Sequence, residues 1–325
     1  MILISKSLVT VVFLITVLVI ALVLVVGINQ KPSLENVQDI VLFLRHGERQ
    51  PFIPISGLGA YKSGELTPQG QKQITQMGSH LLQAYAPFVD AVPHARVVAA
   101  NEERCIRSAE LVVEIFGVQY QSNIIPYMEV KPTDPNYNEF VEQEKVFAAA
   151  IPDCMKNVST TIIQRLNVSL PEEFKLLYGI LIADSLDIVR GKGLSLPYGL
   201  DDLKCTNDGP FLTSEMYDAL SKLATATFGK PSFQTFLDEV KQLRQSSDPS
   251  LTIFSFSDVH ISGLLSMIDG SQKIDRPGFG AHFAIHFRGD YLDIYYSPSF
   301  DQSSRLWLSS AHTDKVLENI EKAVA

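Results

Sequence analysis

Asp39-Ile40-Val41-Leu42-Phe43-Leu44-Arg45-His46-Gly47-Glu48-Arg49-Gln50-Pro51 decides the reading of this chain. Ile40 to Leu44 is a continuous apolar run, the pattern of a strand buried on both faces of a parallel sheet. His46 follows at the carboxyl end of that strand, where open α/β sheets bind ligands. Arg45 and Arg49 offer planar donor forks suited to phosphate oxygens, and an imidazole can attack phosphorus. Gly47 removes a side chain where a ligand must approach the backbone. The competing reading of the same residues is a solvated basic turn.

Outward from this stretch, Thr67 is a usable helix cap with Pro68 at the first helical position. Ile74, Met77, Leu81 and Ala84 then form one buried stripe. Ala95 to Ala100 reads as a second short buried strand. Asn101 is placed to cap a helix whose inner face is Ile106, Val113 and Phe116. Arg104 falls in that helix's first turn, where amide dipoles and a guanidinium both favour an anion; a surface ion pair with Glu102 or Glu103 is the alternative. From about Pro132 to Phe236 the pattern is helical and irregular, with helices predicted over 138–150, 160–166, 171–189 and 214–227. The sheet pattern returns at Leu251 to Phe256, followed by Ser257-Asp258. Ala281–Phe287 and Tyr291–Tyr296 form a hairpin pattern around Arg288-Gly289-Asp290, and a helix is predicted from Thr313 to Ala325. Arg-Gly-Asp is also an adhesion signal, but a tight turn accounts for Gly289-Asp290 by itself.

At 325 residues the chain is long enough for one large α/β domain with an insertion. Its net charge of −9 argues against a nucleic-acid partner, which needs a basic face. The three cysteines, Cys105, Cys154 and Cys205, allow at most one intramolecular bridge and match no zinc spacing. No metal set and no cofactor motif is found. His282 and His286 could share a strand face, yet no third ligand accompanies them. Leu8 to Ile28 carries no charge and is long enough to span a membrane, which takes about 20 residues. It reads as a signal-anchor behind a cytoplasmic tail of residues 1–7, with a cleaved signal ending at Val25-Val26-Gly27 as the alternative. Either route carries the remaining chain to the lumen or the extracellular space. The triplets at Asn157 and Asn167 are glycosylation acceptors that fit it.

The motif Arg45-His46-Gly47-Glu48-Arg49-Gln50-Pro51 resembles that of the histidine acid phosphatases, within the phosphoglycerate-mutase-like superfamily. Leu66-Thr67-Pro68-Gln69-Gly70 is similar to that family's helix start, and Ala99 to Ala109 to its second arginine segment. The resemblance implies a three-layer α/β/α sandwich over residues 36–325, with a mostly parallel central sheet and an inserted helical cap at about 132–236. It also implies an acid phosphatase acting on small phosphomonoesters. In it His46 is the phosphorylated nucleophile, Arg45, Arg49 and Arg104 bind the phosphoryl oxygens, and Asp258 protonates the leaving oxygen. No cofactor is implied, homodimers are common in the family, and family members often hold disulfide cysteines near Cys154 and Cys205.

One position departs. Ser257 stands where the family has a histidine that binds phosphate. Losing one preorganised donor typically costs about 10²–10³ in turnover, so a slowed enzyme is expected; the alternative is a phospho-ligand-binding glycoprotein with little or no catalysis. His260, near the start of the following helix, is expected to point away from Ser257. His312 sits in a polar helix start, His80 and His94 are expected at the surface, and Cys105 is expected to be a packed thiol.

Overall fold

The structure is a computed structural model describing residues 32–51, 64–126, 137–167, 175–191, 196–203, 214–227, 229–245, 248–269 and 275–324. The apolar stretch 8–28 and Cys205 lie outside the described residues. Among the described residues no helix is long and apolar enough to cross a membrane.

Seven strands build one sheet: β1 (Asp39–Arg45), β2 (His94–Ala100), β3 (Gln119–Ile125), β4 (Ser250–Phe256), β5 (His282–Arg288), β6 (Tyr291–Ser297) and β7 (Arg305–His312). Their order is β3-β2-β4-β1-β5-β6-β7. Pairing is parallel from β3 to β1 and antiparallel from β1 to β7. β1 is buried along its whole length because strands flank it and helices cover both faces. Alternate residues serve the two faces, as strand periodicity requires. Ile40, Leu42 and Leu44 pack with α1 (Pro68–Val89) and α2 (Glu103–Phe116). Val41 and Phe43 pack with α7 (Lys230–Leu243), α8 (Asp258–Ile268) and α9 (Thr313–Val324). There Phe43 lies 5.5, 5.4 and 5.1 Å, ring to ring, from Phe254, Phe256 and Phe283. The sequence thus yields the expected three layers with a parallel centre.

A second apolar core belongs to α3 (Tyr137–Ala150), α4 (Asp153–Leu166), α5 (Lys175–Gly191) and α6 (Ser214–Ala226), with Val259 of α8 reaching into it. Residues 230–236 were expected at the end of this cap, yet α7, which contains them, packs on the sheet through Phe233, Phe236 and Val240. Two strands escape the sequence reading. β3 and β7 are sheet edges exposed along most of their length, so Gln119-Tyr-Gln-Ser-Asn carries no apolar run to find. The first helix behaves as read: Thr67 Oγ1 accepts from Gly70 N–H at 2.9 Å, and Ile74, Met77 and Leu81 are buried. Tyr85 rather than Ala84 completes the stripe. The cap of α2 is Glu102 rather than Asn101, and its buried face runs through Cys105, Ala109, Val112 and Phe116.

Gly47 serves a different purpose from the one expected. A Cβ there would meet the Gly70 carbonyl oxygen at 2.3 Å, and one on Gly70 would meet Glu48 O at 2.0 Å. The two glycines let the loop after β1 lie directly on the first turn of α1. Three further bonds fasten it: Thr67 N–H to Glu48 O at 3.0 Å, Gln50 N–H to Glu65 O at 2.8 Å, and Glu48 N–H to Gln73 Oε1 at 2.8 Å. So Gly47 makes room for protein backbone, and the loop is held rigidly behind His46.

His282 and His286 share one face of β5, buried and hydrogen-bonded. His282 Nδ1–H donates to Gly280 O at 3.1 Å and Nε2 lies 3.1 Å from Ser304 Oγ; His286 Nε2 lies 3.1 Å from Tyr85 Oη. Burial lowers both to about 4 from the ordinary 6.5. The folded state therefore keeps them neutral while the unfolded chain binds protons below 6.5, so their contribution is complete above that value and lost as pH falls toward 4.

Two outcomes follow from this framework. Gly70→Ala should destabilise the domain by at least the ~1–3 kcal/mol of an overpacked site, because backbone meets backbone; an unchanged thermal midpoint would refute the close approach. The midpoint should also drop as pH is lowered from 7 to 5, and a flat or rising midpoint would show that the buried histidines accept protons in place.

Candidate active site

Strand register assembles the site. Arg45 pairs with Phe256 across β1 and β4, so His46 and Ser257 emerge side by side, and His46 N–H donates to Phe256 O at 3.2 Å. β2 lies on the other side of β4, in parallel, and delivers Arg104 at the start of α2. β5 runs antiparallel to β1 and therefore begins at the same edge. Its leading segment docks there: Arg45 N–H donates to Ala281 O at 2.8 Å and Gly280 N–H to His46 O at 3.2 Å. Ser255 Oγ donates to Cys105 O at 2.7 Å, seating the start of α2 on β4.

His46 is 2% exposed. Its Nδ1 lies 2.7 Å from Gly47 O. A carbonyl only accepts, so Nδ1 carries the hydrogen and Nε2 keeps its lone pair. Burial lowers this imidazole well below 6.5, and Arg104 and Arg45 lower it further, outweighing the Gly47 bond. The ring is thus favoured in its neutral form, with the Nε2 lone pair retained. Phe279 closes one side, 6.2 Å from the His46 ring and 4.3 Å from the Arg45 guanidinium carbon.

Around it runs a chain of alternating charge. Asp258 Oδ2 accepts from Arg45 at 3.0 Å and from Arg276 Nε at 3.0 Å. Asp184, on the cap helix α5, accepts from Arg49 at 2.6 Å and from Arg276. Arg104 is fully buried and pairs with Glu102 at 2.7 Å, while acting on His46 more strongly than any other charge does. It therefore makes the Glu102 ion pair, from a fully buried side chain and not at the surface, and its charge reaches the imidazole. Burial would raise Asp258, but Arg45 and Arg276 outweigh it and hold the carboxyl at about 2. Burial would likewise raise Asp184, and Arg276 and Arg49 lower it. Arg49 falls to about 10 through burial and stays charged at neutral pH.

Ser257 caps α8 without a side-chain capping bond. Its hydroxyl instead lies 2.9 Å from His260 Nδ1. This corrects the expectation that His260 points away: helix side chains lean toward the N-terminus, which brings residue 260 back over residue 257. His260 is fully buried against Phe256 at 5.0 Å, and burial lowers it to about 3. A neutral imidazole behind the serine adds no charge to the site.

All six residues marked in the sequence, Arg45, His46, Arg49, Arg104, Ser257 and Asp258, lie at this one edge. Arg276, Asp184 and Tyr217 were missed. Tyr217 Oη lies 2.9 Å from Ser262 Oγ, and its ring is 5.6 Å from the Arg276 guanidinium carbon. Arg276 is brought in by strand order, since it precedes a strand antiparallel to β1 and so returns to this edge; a sequence signal existed for Asp184. Asp184 interrupts Gly-Ile-Leu-Ile-Ala-Asp-Ser-Leu, where a carboxylate on a buried face needs a cation. Cys105 is a buried free thiol raised by burial to about 12, and Cys154 is disulfide-bonded. His312 ends β7, exposed and 5.6 Å from the Tyr291 ring.

No family model matches the chain, and no curated protein does. Solved structures match it in fold. The phytase of Klebsiella sp. ASR1 shares 13% identity at a TM-score of 0.60, over 89% of this chain and 96% of that one. The phytase of Citrobacter braakii shares 14% at 0.58, over 88% and 98%. The apo phytase of Hafnia alvei shares 13% at 0.56, over 89% and 97%. The chain has the fold of these phytases, the α/β/α sandwich with an inserted cap that its motifs lead one to expect.

Proposed function

We propose that the chain is a phosphoric monoester hydrolase of the histidine acid phosphatase type. The observation that carries this reading is His46 itself, a buried imidazole with Nδ1 committed to Gly47 O, at the sheet edge that also carries Arg45, Arg49 and Arg104, whose charges add to burial in lowering its pKa. The fold shared with the phytases supports it. In the first displacement the Nε2 lone pair forms a bond to phosphorus as the ester P–O bond breaks, and Asp258 gives its proton to the departing oxygen. In the second, water attacks phosphorus, Asp258 takes a proton from it, and the N–P bond breaks to release inorganic phosphate. The arginines neutralise charge as it redistributes over the phosphoryl oxygens.

Asp258 begins ionised, at about 2 in the empty site. A bound phosphoryl anion competes for Arg45 and Arg276 and adds negative charge beside the carboxyl, both of which raise its pKa. Proton donation then belongs to acidic solution. Burial lowers His46 well below its ordinary 6.5, which favours the neutral, nucleophilic ring.

The chemistry would take place on the lumenal or extracellular side, with residues 8–28 as anchor, or in secreted form if that segment is cleaved. The disulfide at Cys154 suits an oxidising compartment. Asn167, exposed where α4 ends in a left-handed turn, is the better-presented glycan acceptor; Asn157 lies inside α4.

The lumenal chain should hydrolyse an aryl phosphate at acidic pH, His46→Ala should abolish this, and Ser257→His should raise kcat by up to about 10²-fold. Activity untouched in His46→Ala would remove the nucleophile. Phosphate binding without turnover in the wild-type chain would favour the phospho-ligand-binding reading instead. Asp258→Asn should lower kcat by about 10²–10⁴ on an alkyl phosphate and far less on p-nitrophenyl phosphate, whose leaving group departs without a proton. Equal losses on both substrates would exclude Asp258 as the acid.

A further inference from the structure

We propose that Arg276 is a fourth substrate-binding arginine, supplying the positive charge that Ser257 does not, and that Asp184 of the cap holds it until an anion displaces the carboxylate. This inference rests on the phosphomonoester reading of the site.

Placement comes first. Arg276 lies in the segment leading into β5, which is fixed to the nucleophile's strand on both sides. The next residue, Pro277, accepts a hydrogen bond from the Arg45 guanidinium through its carbonyl, and Gly280 N–H donates to His46 O. Arg276 thus has a defined position at the same sheet edge as His46. Its charge also acts directly on Arg45, lowering it.

Partners come second. Three guanidinium groups, from Arg45, Arg276 and Arg49, share two carboxylates, from Asp258 and Asp184. Arg276 is the member that touches both acids. Its Nε donates to Asp258, the residue adjoining Ser257, so its charge lies beside the position where the family's histidine is missing. A serine hydroxyl backed by a neutral His260 cannot furnish that charge. A phosphoryl group entering here would exchange places with carboxylate oxygens, since both are planar-donor acceptors of the same kind.

Exposure comes third. The Arg276 side chain is 28% exposed, whereas those of Arg45, Arg49 and Arg104 are 5%, 2% and 0%. Of these four arginines it faces the solvent, so an incoming anion reaches it before the others. A guanidinium serving only to fasten the cap would need no open face.

Inorganic phosphate binding, measured by calorimetry at pH 5.5, tests this independently of turnover. Arg276→Gln should weaken phosphate by about ten- to a hundredfold, the scale of losing one charge-assisted hydrogen bond. The same change in a Ser257→His background should cost several-fold less, because the histidine then supplies the charge. Asp184→Asn should tighten phosphate binding, since a competing carboxylate is gone; this arm stands even if Arg276→Gln does not fold, which its thermal midpoint reports. Phosphate affinity unchanged in Arg276→Gln, equal losses in both backgrounds, or weaker binding in Asp184→Asn would each overturn the role of Arg276 and leave the phosphomonoester reading in place. A wild-type chain that binds no phosphate would overturn both.

Discussion

Guanidinium groups taken out of water must be paired, and that constraint organises this molecule. Arg45, Arg49 and Arg104 are almost wholly buried around one imidazole. Breaking one buried ion pair would leave an uncompensated charge, typically costing about 3–5 kcal/mol. Asp258, Asp184 and Glu102 supply the counter-charges, and Arg276 links the first two. Burial lowers the His46 imidazole, and the same cations lower it further, because a proton on it would join like charges in a low-dielectric pocket. On the proposed reading, a site that holds an anion would thus also help set the protonation state of its nucleophile.

Holding these charges in register is the work of the sheet. Three of the four parallel strands, β1, β2 and β4, lead into the site residues at one edge, and the antiparallel β5 begins there, so four connections converge. The Gly47–Gly70 contact then removes the freedom of the loop that carries His46 and Arg49. Asp184 is different in kind, because it comes from the cap. The cap, which has its own apolar core, meets the sheet domain's charges through this carboxylate and through Tyr217, while Val259 of α8 packs into that core. Whatever moves the cap relative to the sheet must therefore alter the pairing of Arg49 and Arg276.

Much of this was legible in the chain. Ile40 to Leu44 and Leu251 to Phe256 are apolar runs that only a covered sheet can use, and the residues just after them are those at the site. Thr67-Pro68 and the Ile74 stripe announced α1 by capping and periodicity. The edge strands β3 and β7 were illegible because a strand exposed on its faces needs no apolar pattern. Arg276 and Asp184 lie far from every motif, and what brings them in is strand order and cap docking, which are tertiary facts. His260 was misplaced for a local reason: residue spacing was considered without the backward lean of helical side chains. The purpose of Gly47 was misread because the backbone that approaches it is contributed from Gly70, 23 positions away in the sequence.

If the chain turns over phosphomonoesters as proposed, two side chains compete for the covalent step, His46 and Ser257, the latter lying 2.9 Å from His260 Nδ1 as a nucleophile lies from its base. The proposed reading assigns the attack to His46, whose Nδ1 is held by Gly47 O at the edge that carries the arginines. The decisive measurement is the identity of the phosphorylated side chain after a rapid quench in alkali during turnover of an aryl phosphate, read by mass spectrometry. The account requires a phosphoryl group on His46, stable in base and lost in acid. A phosphoryl group on Ser257, or rapid turnover with no phosphorylated residue, would contradict it.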